Sequence, residues 1–275
     1  MTSKRKTQFW ILGAASAVLL GLFAVVSMPL VSFWNSSQMV SSRVLPATHL
    51  LIVALDARGG EDAGLPDSLI LIDMDSGEKQ SIPRNWTESR IEPGVNLVEK
   101  YLGLESCEPF CTIQGVYAFG GALQQNSAGE YTGLEIMRKV IQEEYEAQSV
   151  ALAVFDLTWA YSFLHRIGPI ELEIQEPIPV GGLSLNGNYG QVERYLPKGT
   201  RSLEGDELYW FARARFGSDN EDRMRRQQEL LNALLSQKDR ASLLDAAVKA
   251  KGLVATDLNL REVLALQIGY QPQSS

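Results

Sequence analysis

From Gly205 to Gln228 the chain reads GDELYWFARARFGSDNEDRMRRQQ. Arg213, Arg215, Arg223, Arg225 and Arg226 stand close together there, interleaved with Asp219, Glu221 and Asp222. Arginine is the side chain suited to phosphate, because its planar fork donates in pairs and stays charged at any working pH. A charge run of this kind is ordinarily a solvated helix face laced with ion pairs. Phe211-Ala212 and Phe216-Gly217 point instead to arginines that emerge from a packed element. Two distant segments offer matching chemistry. Asp56 and Asp67 flank a Gly-rich loop that carries Arg58, and Arg84 follows in Pro83-Arg84-Asn85. Hard carboxylate oxygens suit Mg²⁺ or Mn²⁺. Acids, a divalent ion and the guanidinium groups of Arg58, Arg84, Arg213, Arg215 and Arg223 together make a cradle for a pyrophosphate. No Walker-type loop, G-x-S-x-G or H-E-x-x-H occurs, which disfavours nucleotide-driven, serine-hydrolase and zinc-protease mechanisms.

The elements that must position these groups are legible in outline. His49 to Leu55 is a continuous apolar run of strand length, reading as buried on both faces, and it ends at Asp56. Charged residues and glycines at the end of a buried strand are where open α/β sheets place ligands. Ser68 to Met74 and Lys79 to Ile82 read as a hairpin turning at Asp75-Ser76-Gly77. Residues 91 to 128 read as irregular. Gly129 to Gln148 has helical periodicity, with Leu134, Met137, Ile141 and Tyr145 on one face. Val150 to Phe155 is a buried strand, Leu157 to Ile167 a helix stopped by Gly168-Pro169, and Ile170 to Ile174 an alternating strand. Tyr195 to Arg201 reads as a turn region. Glu204 to Arg215 and Asp222 to Ser236 read as helices, and the tail from Ala241 as weakly helical. His49 and His165 read as structural.

Ahead of this domain, Lys4, Arg5 and Lys6 precede an apolar run from Phe9 to Val31, long enough to span a bilayer. The basic flank should remain cytoplasmic and send the rest outward. No A-x-A-like cleavage site is evident near Met28-Pro29-Leu30, so a retained signal anchor is expected rather than a cleaved signal peptide. The organisation expected is a cytoplasmic tail (1–8), a transmembrane anchor (9–31), a Ser-rich juxtamembrane linker (32–48), a catalytic domain (49–240) and a helical tail (241–275). The net charge of -8 argues against nucleic acid as a partner, so phosphate binding must be local to a pocket. Cys107 and Cys111 lack the further His or Cys that a zinc site requires. Outside the membrane the simpler reading is a local disulfide pinning a loop.

In order along the chain, LLIVALDAR, GLPDSLILIDMD, SIPRN, VYAFGG, FDLTWAYSFLHRIGPIELEI and LPKGTRSLEGDELYWFARAR, followed by DRMRRQQELLNALL, resemble the LytR-CpsA-Psr family of cell-envelope phosphotransferases. The resemblance covers roughly His49 to Ser236. It implies an α/β fold with a central mixed β-sheet flanked by helices behind a single membrane anchor. It further implies Mg²⁺-dependent transfer of a glycopolymer from a polyprenyl-pyrophosphate carrier to a cell-wall hydroxyl such as that of peptidoglycan. By position, Asp56 and Asp67 match the metal-holding acids, and Arg58, Arg84, Arg213, Arg215 and Arg223 the pyrophosphate-binding arginines. Arg226-Gln227-Gln228 matches a polar helix face below them, and Asp219 or Asp222 takes the place of a further acid. The chain departs from the family pattern at Leu65-Pro66, where Arg-Ser is usual, at Asn85, where an acid is usual, and at Gln114, where Asn is usual. One guanidinium and one carboxylate are thereby exchanged for neutral groups. Polyprenyl-pyrophosphate hydrolysis and non-catalytic binding of the lipid are the competing functions.

Overall fold

In a computed structural model, residues 43–57, 64–183, 189–214, 220–259 and 262 are described. The expected anchor at Phe9 to Val31, together with Arg58, Arg215 and Asp219, lies outside them. No helix among the described residues is long and apolar enough to cross a membrane.

The centre is a mixed sheet of β1 (His49–Leu55), β2 (Pro66–Asp73), β3 (Lys79–Ile82), β4 (Val150–Asp156) and β9 (Val254–Thr256), in the order β3-β2-β1-β4-β9. β1 runs parallel to β4, and the other pairs are antiparallel. Alternation along β1 sends Leu51, Val53 and Leu55 into a core with Leu69 and Leu71 of β2. That core is closed by α1 (Leu97–Leu102), α2 (Ile113–Phe119) and α3 (Thr132–Glu144), the last through Leu134, Met137 and Ile141 at helical spacing. On the opposite face Ile52 and Ala54 are only partly buried, because they border a cavity rather than packed side chains. An apolar run was needed on both faces, but only one face is core.

A second core lies across that cavity. It joins α4 (Leu157–Leu164), β5 (Ile170–Ile174), β6 (Ile178–Leu183), β7 (Tyr189–Leu196), β8 (Gly199–Leu203), α5 (Asp206–Arg213), α6 (Asn220–Gln237) and α7 (Arg240–Lys249). β5 pairs with β8 and β6 with β7, both antiparallel. β4 passes directly into α4: Asp156, its last residue, accepts the Trp159 N–H at 2.7 Å and so caps the helix.

Several stretches differ from expectation. Residues 91–128 hold α1 and α2, too short to show periodicity and begun by side-chain caps, Asn96 to the Glu99 N–H and Thr112 to the Gly115 N–H. The Cys107–Cys111 disulfide closes the loop between them, with Cα atoms 4.9 Å apart. The Tyr195–Arg201 turn shrinks to Pro197-Lys198, because β7 pairs with β6 and β8 with β5, taking up the flanking residues. After Lys249 the tail becomes β9, a three-residue edge strand that pairs Ala255 with Val154, and its helical reading does not extend that far.

Candidate functional site

The site forms where β1 and β2 end beside one another. Asp56 N–H donates to Leu65 O at 2.8 Å, drawing together the two ends of the loop between the strands. Gly64 permits this: it has φ +62, and a Cβ there would lie 2.4 Å from the Ala57 nitrogen. The ladder passes from Ala54↔Ser68 to Leu55↔Pro66, leaving Asp67 as the extra residue of a β-bulge. By plain alternation Asp67 would follow Leu69 and Leu71 into the core. The bulge re-aims it, as bulges beside functional sites commonly do.

Asp67 is only 7 % exposed and is held from two elements. Arg84, just past β3, donates Nη1 to Oδ1 at 2.5 Å. Arg223, in the first turns of α6, donates Nη1 to Oδ2 and Nη2 to the backbone carbonyl of Asp67, both at 3.2 Å. Arg213, the last residue of α5, brings Nη2 to 3.4 Å from Asp56 Oδ1. Five of the expected groups thus stand in two sets at the adjoining strand ends, Asp56 with Arg213 and Asp67 with Arg84 and Arg223. Gln114 secures the strand end by donating to Pro66 O at 2.5 Å.

Arg213 joins these charged groups to an apolar cavity of about 290 Å³, which it helps to line. The floor is the second face of the sheet, Ile52, Ala54 and Ile70, and the walls are Phe155, Trp159 and Phe163 together with Leu230 and Leu234 of α6. Trp159 and Phe163 stack at 5.1 Å with planes 8° apart. Arg213, Tyr209, Ser68 and Gln227 supply the polar part of the lining. Ser68 Oγ donates to Gln227 Oε1 at 2.7 Å, and Gln227 Nε2 donates to Ala212 O at 3.3 Å.

Some expectations are corrected here. Asp222 takes another direction from Arg223. A helix turns about 100° per residue, so Asp222 and Arg223 face different ways. Asp222 instead lies 3.3 Å from Arg225 Nη2 and lines a separate groove with Glu176 and Glu229. Arg226 is buried and serves the backbone of α5, donating to Phe211 O at 2.6 Å and Ala214 O at 2.5 Å. Burial holds its guanidinium below the usual arginine range, and its role is to clamp a helix end, where free carbonyls favour a cation. Gln228 donates to Lys79 O at 2.8 Å, so the expected polar face Arg226-Gln227-Gln228 divides among three neighbours, with Gln227 alone at the cavity.

Sequence reasoning missed Tyr209 and the cavity walls. The i, i+4 spacing of Trp159 and Phe163, and of Tyr209 and Arg213, was the available signal. Among the described residues no group of three or more His, Cys, Asp or Glu gathers. Asp56 and Asp67, at the ends of the two strands, are the carboxylates that could hold a divalent ion at this site. Two hard carboxylates fit Mg²⁺, which takes one or two and completes its octahedron with water and substrate phosphate.

A family model described as the LytR_cpsA_psr family matches residues 35–275. No curated protein matches the chain. Among solved structures, B. subtilis TagV is similar at 20% identity and TM-score 0.54, over 81% of this chain and 78% of that one. TagT bound to LI-WTA is similar at 17% identity and TM-score 0.55, over 86% and 81%. The LytR-CPS2A-psr family protein YwtF (TagT) with bound octaprenyl pyrophosphate lipid is similar at 16% identity and TM-score 0.50, over 86% and 80%. At these identities the likeness establishes a shared fold.

Proposed function

The chain belongs to the LytR_cpsA_psr family, and from that premise we propose that it transfers a glycopolymer from a polyprenyl-pyrophosphate carrier to a cell-wall hydroxyl. One observation carries the reading. A cluster of guanidinium and carboxylate groups stands at the rim of a cavity that is otherwise apolar. A ligand matching both parts has an anionic head and a hydrocarbon tail. The octaprenyl pyrophosphate in the similar TagT structure is of this class.

In this reading Arg84, Arg213 and Arg223, joined by Arg58 and Arg215, take the pyrophosphate oxygens. Two carboxylates at one site cannot by themselves attract such an anion, so the arginines set the sign of the field. The acceptor hydroxyl attacks the phosphorus nearest the sugar. A new P–O bond forms, the bridging P–O bond breaks, and polyprenyl monophosphate leaves with the bridging oxygen. Its developing charge is met by guanidinium groups already in place, without reorganisation during the reaction. The hydroxyl proton passes to a carboxylate. Asp56 suits this better than Asp67, its side chain being 30% exposed against 7%. Mg²⁺ held by Asp56 and Asp67 would add Lewis-acid charge neutralisation on the phosphates. The domain would work outside the cytoplasm, tethered by the apolar segment Phe9 to Val31.

The test is release of polyprenyl phosphate from a polyprenyl-pyrophosphate-linked sugar, with and without a wall-fragment acceptor, in Mg²⁺ and after chelation. Release that requires acceptor supports transfer. Equal release without acceptor makes the protein a hydrolase, and binding without release under any metal makes it a lipid carrier.

A further inference from the structure

Arg213 has a second partner besides Asp56. Its Nη1 donates to the Tyr209 hydroxyl at 2.7 Å, and its guanidinium carbon lies 5.5 Å from the Tyr209 ring centroid. The two residues are one helical turn apart on α5, so they share a face. Tyr209 therefore spans the boundary of the site: its ring lines the apolar cavity while its hydroxyl reaches the charged rim.

The two partners of Arg213 differ in kind. A carboxylate such as Asp56 fixes a guanidinium but also neutralises it. A neutral phenol fixes its direction and leaves the whole positive charge for an incoming anion. If Asp56 turns to a metal ion, the phenol is the contact that stays.

The ring is itself held. Tyr161 packs edge-on against Tyr209, with centroids 5.3 Å apart and planes at 84°, and Trp210 does the same at 5.7 Å. Tyr161 in turn lies against His165 at 4.0 Å, and His165 Nε2 is 3.2 Å from Asp206 Oδ1. His165, read from the sequence as structural, thus has an acidic neighbour in space and belongs to this support.

We propose that Tyr209 is a positioning residue, holding Arg213 at the rim of the cavity with its charge intact for the diphosphate head of the substrate. The inference rests on the pyrophosphate reading of the cluster. Its test uses the full-length protein and inorganic pyrophosphate, with binding measured by calorimetry in Mg²⁺. Tyr209→Phe keeps the ring and removes only the hydroxyl. A hydrogen bond to a charged group is worth about 1.5–3 kcal/mol, so affinity should fall roughly tenfold or more. In an Arg213→Ala background the same change should have almost no effect, because the coupling vanishes with the guanidinium. Binding of an uncharged polyprenol should be unchanged in Tyr209→Phe, because the ring that lines the cavity is kept; a loss of polyprenol affinity as large as the loss of pyrophosphate affinity would overturn the inference. Parent-like pyrophosphate affinity in Tyr209→Phe, a penalty that persists in the Arg213→Ala background, or no pyrophosphate binding by the parent would each overturn the inference. Failure of the transfer reading looks different: pyrophosphate binds and the cycle couples, yet the parent releases no polyprenyl phosphate.

Discussion

At the scale of the residue, Asp67 and Arg213 do different work and should fail differently. Asp67 lies between Arg84 and the buried Arg223. Asp67→Ala would bring two guanidinium groups together without that carboxylate, a loss of about 3 kcal/mol of stability. Turnover should fall on the order of a hundredfold as well. Arg213→Ala removes a cation from the rim without breaking a buried pair of that kind, so the fold should persist while both lipid-pyrophosphate affinity and turnover fall. Urea midpoints and the release assay separate the two. An Asp67→Ala protein as stable and active as the parent would end this account. The residue types were legible because only certain side chains can hold phosphate and metal. Direction was not, and Asp222 beside Arg223 shows the cost of reading a helix as a string.

At the scale of the element, α6 divides the second half of the molecule by angle. Arg223, Gln227, Leu230 and Leu234 face the site and cavity, whereas Asp222, Arg225 and Glu229 face the groove beside β6. Arg226 points to the carbonyl end of α5 and so fixes Arg213 indirectly, through the backbone that carries it. The first half is pinned by other means. Glu144 accepts from Ser89 Oγ at 2.8 Å, Lys100 Nζ at 3.0 Å and Tyr101 OH at 2.9 Å, tying α3 to α1 and the loop before it. The Cys107–Cys111 bridge closes a loop of few residues, so it constrains the unfolded chain only slightly. Thiol titration of the untreated protein should find no free cysteine, and reduction should cost about 2 kcal/mol or less. Two titratable thiols before reduction would contradict the bridge.

At the scale of the molecule, two long-range features stand out. Arg43 donates through both Nη atoms to Glu262, each at 2.8 Å, and to Asp257, which also meets Arg138 Nη2 at 2.6 Å and the Leu152 N–H at 2.7 Å. This network joins the segment before β1 to the segment after β9. Burial alone would raise the Glu262 carboxyl, but hydrogen bonds from Arg43 and the N–H groups of Asn259 and Ala47 outweigh it and hold it at about 2, below the usual 4.5. A carboxyl depressed in the folded state contributes stability that is complete above about pH 4.5 and is lost as pH falls toward 2. Denaturation at pH 7 and pH 3 should show that loss, and Glu262→Gln should reduce it. Glu144 is lowered too: burial alone would raise it, but hydrogen bonds from Ser89, Lys100, the Arg90 N–H and Tyr101 together outweigh that, so some slope should remain. A pH dependence identical in Glu262→Gln and the parent would refute the role of the network. The second feature is the cavity between the cores. Ala54→Phe would place a ring into it from the floor, and each buried CH₂ of a ligand so excluded forfeits about 0.8 kcal/mol. Binding of polyprenol and of polyprenyl pyrophosphate should both fall by more than tenfold, with the urea midpoint little changed. Undiminished binding of both would mean that the tail lies elsewhere.

Local pattern was enough to determine β1, the β2–β3 hairpin, α3, β4 and β5, because each carries its period in consecutive residues. It was also enough to single out Asp56, Asp67, Arg84, Arg213 and Arg223, which the fold brings to the ends of β1 and β2, since side-chain type alone marks groups able to hold phosphate or a divalent ion. Tertiary structure alone decided the rest. α1, α2 and β9 are too short to show a period and exist through caps and partners. The bulge at Asp67 depends on how two strands are registered. A cavity has no sequence signature at all, because Ile52 in its floor and Val53 in the core are equally apolar. What separates them is which face of one strand meets packed helices, and which meets the open cavity.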